Sequence, residues 1–331
     1  MILESVEMDG VTFLKMTNAV GLSVLLSDYG AGIYEIRYLG EAMNIAPKDK
    51  KAWLKSDAYF GKTVGRLAGR VANGKLDYLG KTYTLSVNEG KNTLHGGKEG
   101  FSYRLFKMDV VHLGDGVAAD FYLISPALDM GFPGECALRV RYFLKEDEPL
   151  LRISYQSKVS EQTPLNFTCH TYFNLGGEKN VDRHLLQVKS HQSETYDSSL
   201  IPQGFKASPS CLDFSEKKRV GKDIDDPYLL NSRTAGYDHC FLFSNNDGGV
   251  VLSLESEHFL FELKTSLPAV QIYSDNYPHP EMPLNNGQME ERHSGLAIEP
   301  VYAPLDYHAM TALPFETKKD FIEYHFSKKG E

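Results

Sequence analysis

Along much of this chain, hydrophobic side chains recur at every second position. Leu138, Val140 and Tyr142 alternate with Arg139 and Arg141; Leu151, Ile153 and Tyr155 alternate with Arg152, Ser154 and Gln156; Phe259, Phe261 and Leu263 alternate with Leu260, Glu262 and Lys264. A period of two puts one set of side chains on a core face and the other on a wetter face, so these segments predict strands. Turn-forming residues separate them. Leu79-Gly80-Lys81, between residues 76–78 and 82–85, predicts a hairpin, and residues 112–117 predict a second. Asn245-Asn246-Asp247-Gly248-Gly249, between Phe241-Leu242-Phe243 and Val250-Val251-Leu252, predicts a third. Helical patterning is confined to residues 48–56 around Trp53 and to residues 59–67. No linker, low-complexity tract or fixed-period repeat divides the 331 residues. The expectation is an all-β fold in a single domain, 1–331, built of broad antiparallel sheets stacked as a sandwich, with few short helices.

Composition narrows the partners. Hydrophobic residues at 42% and charged residues at 24% are ordinary for a globular protein, whereas 19 Tyr and 18 Phe are distinctive. Aromatics fill sheets, and they also offer flat apolar faces to sugar rings. The net charge of −9 and the lack of a dense Lys/Arg cluster argue against nucleic acid or an anionic membrane surface as partner. The longest basic run, Lys217-Lys218-Arg219, reads as a solvated turn. No apolar run is long enough to span a bilayer, and Met1 to Glu7 carries no basic-then-apolar leader pattern. Cys136, Cys169, Cys211 and Cys240 are far apart, with no C-x-x-C pair, which points to neither a zinc site nor a redox motif and fits a reduced, cytoplasmic setting.

The candidate chemistry centres on His170-Thr171-Tyr172-Phe173-Asn174-Leu175-Gly176-Gly177, which follows an apolar stretch containing Leu165 and Phe167. Histidine titrates near neutral pH, and aromatic neighbours can hold its ring and exclude water. The adjacent Cys169 reads as a small buried hydrophobe rather than a nucleophile. Arg70 lies in the Gly-rich segment 65–74, which lacks both the G-x-G-x-x-G spacing and a Lys-Ser/Thr ending of phosphate loops. His95 precedes Gly96-Gly97 at a tight turn, and Asp238 enters an apolar strand, where a carboxylate must be paired, ligand-bound or at the strand end. Gln271 and Tyr273 share one strand face; Glu299 follows an apolar run and precedes Pro300, which should end the strand and leave Glu299 either at the solvated rim or held in a pocket. His279, Glu281 and His293 lack H-E-x-x-H spacing and read as surface residues. One His and one Glu for proton transfer, with Arg, His, Asp and Gln as hydrogen-bonding anchors, suit a neutral polyhydroxylated ligand.

Six ordered motifs carry a resemblance: Gly69-Arg70-Val71-Ala72, Leu94-His95-Gly96-Gly97, His170-Thr171-Tyr172-Phe173-Asn174-Leu175, Tyr237-Asp238-His239, Gln271-Ile272-Tyr273 and Ile298-Glu299-Pro300. From about residue 10 to about residue 326 the chain resembles the aldose 1-epimerase (galactose mutarotase) family. The resemblance implies a large antiparallel β-supersandwich with an open sugar cleft and neither cofactor nor metal. It implies Glu299 as general base and His170 as general acid in opening and reclosing a free aldohexose such as galactose or glucose, with His170 protonated and Glu299 ionised at the start. It also implies Arg70, His95, Asp238, Gln271 and Tyr273 as sugar binders in a monomer or homodimer. Three positions depart from the family's usual residues: Gly69 for Asn, Val301 for Gln, and Ser274-Asp275-Asn276 for Thr-Gly-Asn. The competing readings are a hexose 6-phosphate epimerase using Arg66 and Arg70, a glycosidase using Asp238 and Glu299, and a non-catalytic sugar-binding sandwich.

Overall fold

The computed structural model describes residues 1–279 and 281–330. Sheets of nine, seven and five strands dominate it, and every named strand pair among the described residues is antiparallel. The nine-stranded sheet runs in the order Lys107–Leu113, Gly116–Ser125, Cys136–Lys145, Leu150–Val159, Lys318–Lys328, Phe259–Thr265, Leu252–Glu255, Leu185–Val188, Lys218–Arg219. The seven-stranded sheet runs Pro202–Ala207, Gln192–Tyr196, Asp238–Leu242, Ala269–Tyr273, Leu296–Val301, Tyr172–Phe173, Asn44–Ile45. The five N-terminal strands, Ile2–Met8 to Glu41–Ala42, form a meander. This is the all-β sandwich of broad antiparallel sheets expected from the chain's period of two, in the supersandwich form that the resemblance implies.

Alternation does the local work. In Leu150–Val159 and Phe259–Thr265 every second side chain is buried. One large core gathers those faces: Tyr142, Ile153 and Tyr324 from the nine-stranded sheet, Phe241, Ile272 and Ile298 from the seven-stranded sheet, and Met16, Val24 and Ile36 from the five-stranded one. Phe173 links two of the sheets, its ring 4.2 Å from Phe261 and 5.1 Å from Tyr324. The helix expected near Trp53 spans Lys50–Lys55, capped by Asp49, which accepts the Lys51 N–H at 3.0 Å. The hairpins expected around residues 79–81 and 112–117 are present.

Three local expectations are overturned. Residues 59–67 form no helix: Tyr59 and Gly61 have positive φ, and the backbone is committed to tertiary partners. Ile33 N–H donates to Gly61 O at 2.8 Å, Gly61 N–H donates to His170 O at 2.7 Å, and Thr63–Val64 pairs with Thr168–Cys169. The turn at 245–249 joins no hairpin. Asp238–Leu242 pairs within the seven-stranded sheet and Leu252–Glu255 within the nine-stranded one, so the turn carries the chain between sheets. Turn residues specify a reversal, not which sheet receives the next strand. Finally, Pro300 does not end its strand, which continues to Val301, with Pro300 opposite Val270. The short neighbour Tyr172–Phe173 reaches only Ala297 and Leu296, so Pro300 has a strand on one side alone and its missing N–H breaks no ladder.

Truncating Phe173 to Ala is expected to cost about 3–5 kcal/mol in denaturant unfolding, because it empties the contact between two sheets. Ile124→Ala, at a side chain 66% exposed, is expected to change stability by less than about 0.5 kcal/mol.

Candidate active site

The floor of the site is a patch of the seven-stranded sheet. Directly opposed residues of an antiparallel ladder share a face, so the register writes a grid. Asp238, Tyr273 and Ala297 form one row, Cys240, Gln271 and Glu299 the next, and Leu242, Ala269 and Val301 the third. The intervening Phe241, Val270, Ile272 and Ile298 point the other way, into the core. A cavity of about 370 Å³ opens above the grid, lined also by Tyr59, Arg70, Glu89, His95, His170 and Tyr196. All seven residues expected from the sequence line it: His170, Glu299, Arg70, His95, Asp238, Gln271 and Tyr273.

His170 comes immediately after the strand Thr168–Cys169, and its backbone is clamped on both sides. Its N–H donates to Lys62 O at 3.0 Å and its carbonyl accepts from Gly61 N–H. The ring stacks on Tyr59 at 5.8 Å, lies 5.0 Å from Tyr172 and meets His95 edge-on at 5.4 Å. Nε2 lies 3.3 Å from Glu299 Oε1, and both side chains are almost fully buried. His170 Nδ1 bonds to no other described residue, so packing and the Glu299 contact hold the ring.

Burial governs the protonation of this pair. It lowers His170 to about 4. It pushes Glu299 well above the carboxylate range, helped by Asp238 and opposed by Arg70. Burial therefore opposes the expected imidazolium–carboxylate arrangement, because loss of solvation disfavours the charged form of each group. The charged and uncharged arrangements contain the same number of protons. They differ by one proton moved between Oε1 and Nε2.

His95 sits in a turn with φ 51°. A Cβ on Gly96 would lie 2.0 Å from Gly65 O, so only glycine fits there. Gly69 N–H donates to His95 Nδ1 at 3.3 Å, which leaves the proton of the neutral ring on Nε2. Burial, His170 and Arg70 all keep His95 from charging. Ligand atoms of His95, His170 and Glu299 lie within 4.8 Å of one another, a spacing that could hold a divalent ion. A metal-bound histidine, however, donates from its second nitrogen, whereas His95 accepts there. That polarity suits a hydroxyl-binding ring better than a metal ligand.

The opposite wall is a chain of charge-assisted bonds. Gln271 Nε2 donates to Asp238 Oδ1 at 2.6 Å, and Arg70 Nη1 lies 3.6 Å from Asp238 Oδ2. Tyr196 donates to Gln271 Oε1 at 3.3 Å and accepts Cys240 N–H at 3.2 Å. Glu89 grips the other edge of the guanidinium, accepting from Arg70 Nε at 2.9 Å and Nη2 at 3.0 Å. Burial works against the Arg70 charge, but Asp238 and Glu89 outweigh it and hold the charge in place. Asp238 is raised by burial, with Arg70 opposing. Tyr273 Oη accepts the N–H groups of Asn276 and Tyr277 at 2.9 and 3.2 Å, so it shapes the rim as well as lining the cavity. Glu89 and Tyr196 were not legible in the sequence. Glu89 lies four residues before Thr93-Leu94-His95, in a polar turn without pattern, and Tyr196 has no motif.

Other expectations change. Cys169 is inert as read: burial pushes its thiol up to about 11, and Sγ lies 3.2 Å from both Gly61 O and Thr171 Oγ1. Arg66 is no cavity cation. It is buried and donates to the carbonyls of Ser125, Pro126, Pro133 and Gly134. His279 is not simply a surface residue: it lines the cavity mouth, 3.4 Å from Asp57 and 3.3 Å from Glu290. His293 is mostly buried, 3.0 Å from Asp182. Among the described residues, no helix is long and apolar enough to cross a membrane.

The comparisons with known proteins agree with this geometry. The aldose 1-epimerase family model matches residues 12–313. Human galactose mutarotase is 33% identical over 264 residues, 75% of this chain and 72% of that protein. Aldose 1-epimerase of Escherichia coli K12 is 31% identical over 306 residues, 88% of this chain and 86% of that protein. The crystal structure of galactose 1-epimerase from Lactobacillus acidophilus NCFM superposes with a TM-score of 0.87 at 26% identity, covering 99% of this chain and 98% of that one. The chain belongs to the aldose 1-epimerase family.

Two outcomes follow from the buried charges. The unfolded chain ionises Glu299 at the ordinary carboxylate value of about 4.3, whereas the folded chain holds its proton to a higher pH. Between those values the folded state binds more protons, so this group's contribution to stability falls as pH rises. Glu299→Gln cannot ionise. Its melting temperature is therefore expected to exceed that of the native protein by about 3 °C or more at pH 7–8, with the gap closing towards pH 4; a gap that is absent or constant across that range contradicts the buried-acid picture. Glu89→Ala, measured by calorimetry with an unreactive sugar such as 1,5-anhydrogalactitol, is expected to weaken binding about 10-fold by releasing the guanidinium, and unchanged affinity would show that Arg70 needs no clamp.

Proposed function

We propose that this chain is an aldose 1-epimerase acting on free aldoses, with His170 and Glu299 as its acid–base pair. The observation that carries the reading is the 3.3 Å contact between His170 Nε2 and Glu299 Oε1, inside a cavity that also presents Arg70, His95, Asp238 and Gln271. With a sugar seated, the proton between the two groups moves to His170, leaving a carboxylate. Glu299 takes the proton from the anomeric hydroxyl, C1–O1 becomes a carbonyl, the C1–O5 bond breaks, and His170 protonates O5. The open aldehyde rotates about C1–C2. O5 then attacks the other carbonyl face, returning its proton to His170, while Glu299 returns its proton to O1. The cycle is balanced and symmetric. A pair that can hold its mobile proton on either member serves both directions. Arg70, His95, Asp238 and Gln271 bind ring hydroxyls, and one domain supplies every part of the site.

Electrostatics favours neutral sugars over their 6-phosphates. Asp57, Glu89, Asp238, Asp275 and Glu299 line the cavity, and Arg70, already paired with Glu89 and Asp238, is the arginine among the lining residues. A dianionic phosphate would meet carboxyl groups without a free cation to receive it. The charge and cysteine content fit a cytoplasmic protein.

Polarimetry of freshly dissolved α-D-galactose and α-D-glucose tests the reading. The native protein is expected to speed the approach to anomeric equilibrium, and Glu299→Gln and His170→Asn are each expected to lose about 10²–10⁴-fold in kcat. Full activity in both variants would rule out the acid–base assignment. Sugar binding without any acceleration by the native protein would favour a non-catalytic sugar-binding role instead.

A further inference from the structure

The grid beneath the cavity is polar on one side of Glu299 and apolar on the other. Along each strand, same-face neighbours are two residues apart, about 6.7 Å. On one side of the Cys240–Gln271–Glu299 row lie Asp238 and Tyr273, with Arg70 reaching Asp238. On the other side lie Leu242, Ala269 and Val301. Val301, Ala68, Leu67 and Met310 line the cavity there. Val301, Ala269 and Cys240 form a small buried apolar cluster against which Ala68 packs. A Cβ on the adjacent Gly69 would meet no atom within 4 Å, so no side chain projects across that space from this position. Two polar atoms on this side are already engaged: Asn166 Oδ1 accepts Tyr302 N–H at 3.0 Å, and Tyr302 Oη donates to Asp320 Oδ1 at 2.8 Å.

We infer that Val301 and Ala68 face the C5 edge of the bound aldose, and that they make this site prefer aldoses bearing hydrogen or methyl at C5 over those bearing hydroxymethyl. The inference rests on the aldose 1-epimerase reading. With O1 and O5 held between Glu299 and His170, a pyranose can lie in two senses. In one, the hydroxyls on C2, C3 and C4 face Asp238, Gln271 and Arg70, and C5 faces the apolar row. In the other, those hydroxyls lie against Val301 and lose their hydrogen bonds, while the charged wall is left facing carbon. The first sense satisfies both walls. C5 is the ring carbon that bears no hydroxyl of its own. Its substituent is hydrogen in a pentose, methyl in a 6-deoxyhexose and hydroxymethyl in a hexose, and the last brings a hydroxyl to the apolar row at Val301.

D-Galactose, 6-deoxy-D-galactose and L-arabinose share their configuration at C2–C4 and differ only at C5, so they isolate this contact. Native protein is expected to show kcat/KM about 10-fold higher for 6-deoxygalactose than for galactose, with arabinose not below galactose. Val301→Thr and, separately, Ala68→Ser each set a hydroxyl in the wall and are expected to bring the 6-deoxygalactose to galactose ratio towards one. Two variants guard against one of them folding poorly. Galactose matching or exceeding 6-deoxygalactose in the native protein, or a ratio that neither variant moves, overturns the inference. If no aldose is turned over, the activity reading fails separately. The wall is then still tested by calorimetry with 1,5-anhydrogalactitol and its 6-deoxy form, where the same 10-fold preference supports the inference and equal affinity or no binding overturns it.

Discussion

The site depends on the removal of water from two titratable groups that touch. His170 and Glu299 meet inside a wall of Tyr59, Tyr172 and His95, and this burial shifts the proton affinity of each away from its charged form. In water an imidazole and a carboxyl of ordinary pKa would stand as an ion pair. Here the charged and uncharged forms are drawn closer together, so a small perturbation by a bound hydroxyl can move the proton. The fold bears the cost of keeping a buried acid in order to place it.

The framework around the pair explains how that placement is held. Glu299 is rigid because its strand is interior and its neighbours Ile298 and Pro300 lie in a ladder. His170 is rigid because its backbone is hydrogen-bonded to the 61–62 segment, which is itself pinned by Ile33. Lys62 deepens this support. Its side chain is buried, with the ammonium 5.0–5.4 Å from the rings of Tyr29, Trp53 and Tyr103, and it donates to Ser56 O at 3.3 Å. Burial lowers its pKa to about 7. The aromatic abundance noted in the composition thus serves two purposes: it fills the sheets, and it walls His170 and cages the Lys62 ammonium behind it.

The polar wall follows the same logic of shared partners. Asp238, Arg70, Glu89, Gln271 and Tyr196 each satisfy a neighbour, so the cavity presents oriented donors and acceptors without leaving the guanidinium uncompensated. Arg66 lies only four residues from Arg70 yet bonds to four carbonyls on the far side of its segment. Two arginines of one Gly-rich stretch therefore perform unrelated tasks, and no spacing rule separates them.

What the chain's pattern determined was the class of fold and the residues worth watching. Period-two alternation marks faces because successive strand side chains point in opposite directions, so Leu138, Ile153 and Phe261 were readable as core, and Gln271 and Tyr273 as one face. His170, Glu299, Arg70, His95 and Asp238 were legible through the six ordered motifs and the family those motifs resemble. Tertiary structure alone decided what depends on contacts between distant segments: the sheet that receives the chain after residue 249, the strand that survives Pro300, the clamp by Glu89, and the burial of the His170–Glu299 pair. Turn chemistry and motifs are local, whereas sheet partnership, desolvation and the polarity of a cavity wall arise only when residues 59–95, 166–172, 238–273 and 297–310 converge on one space.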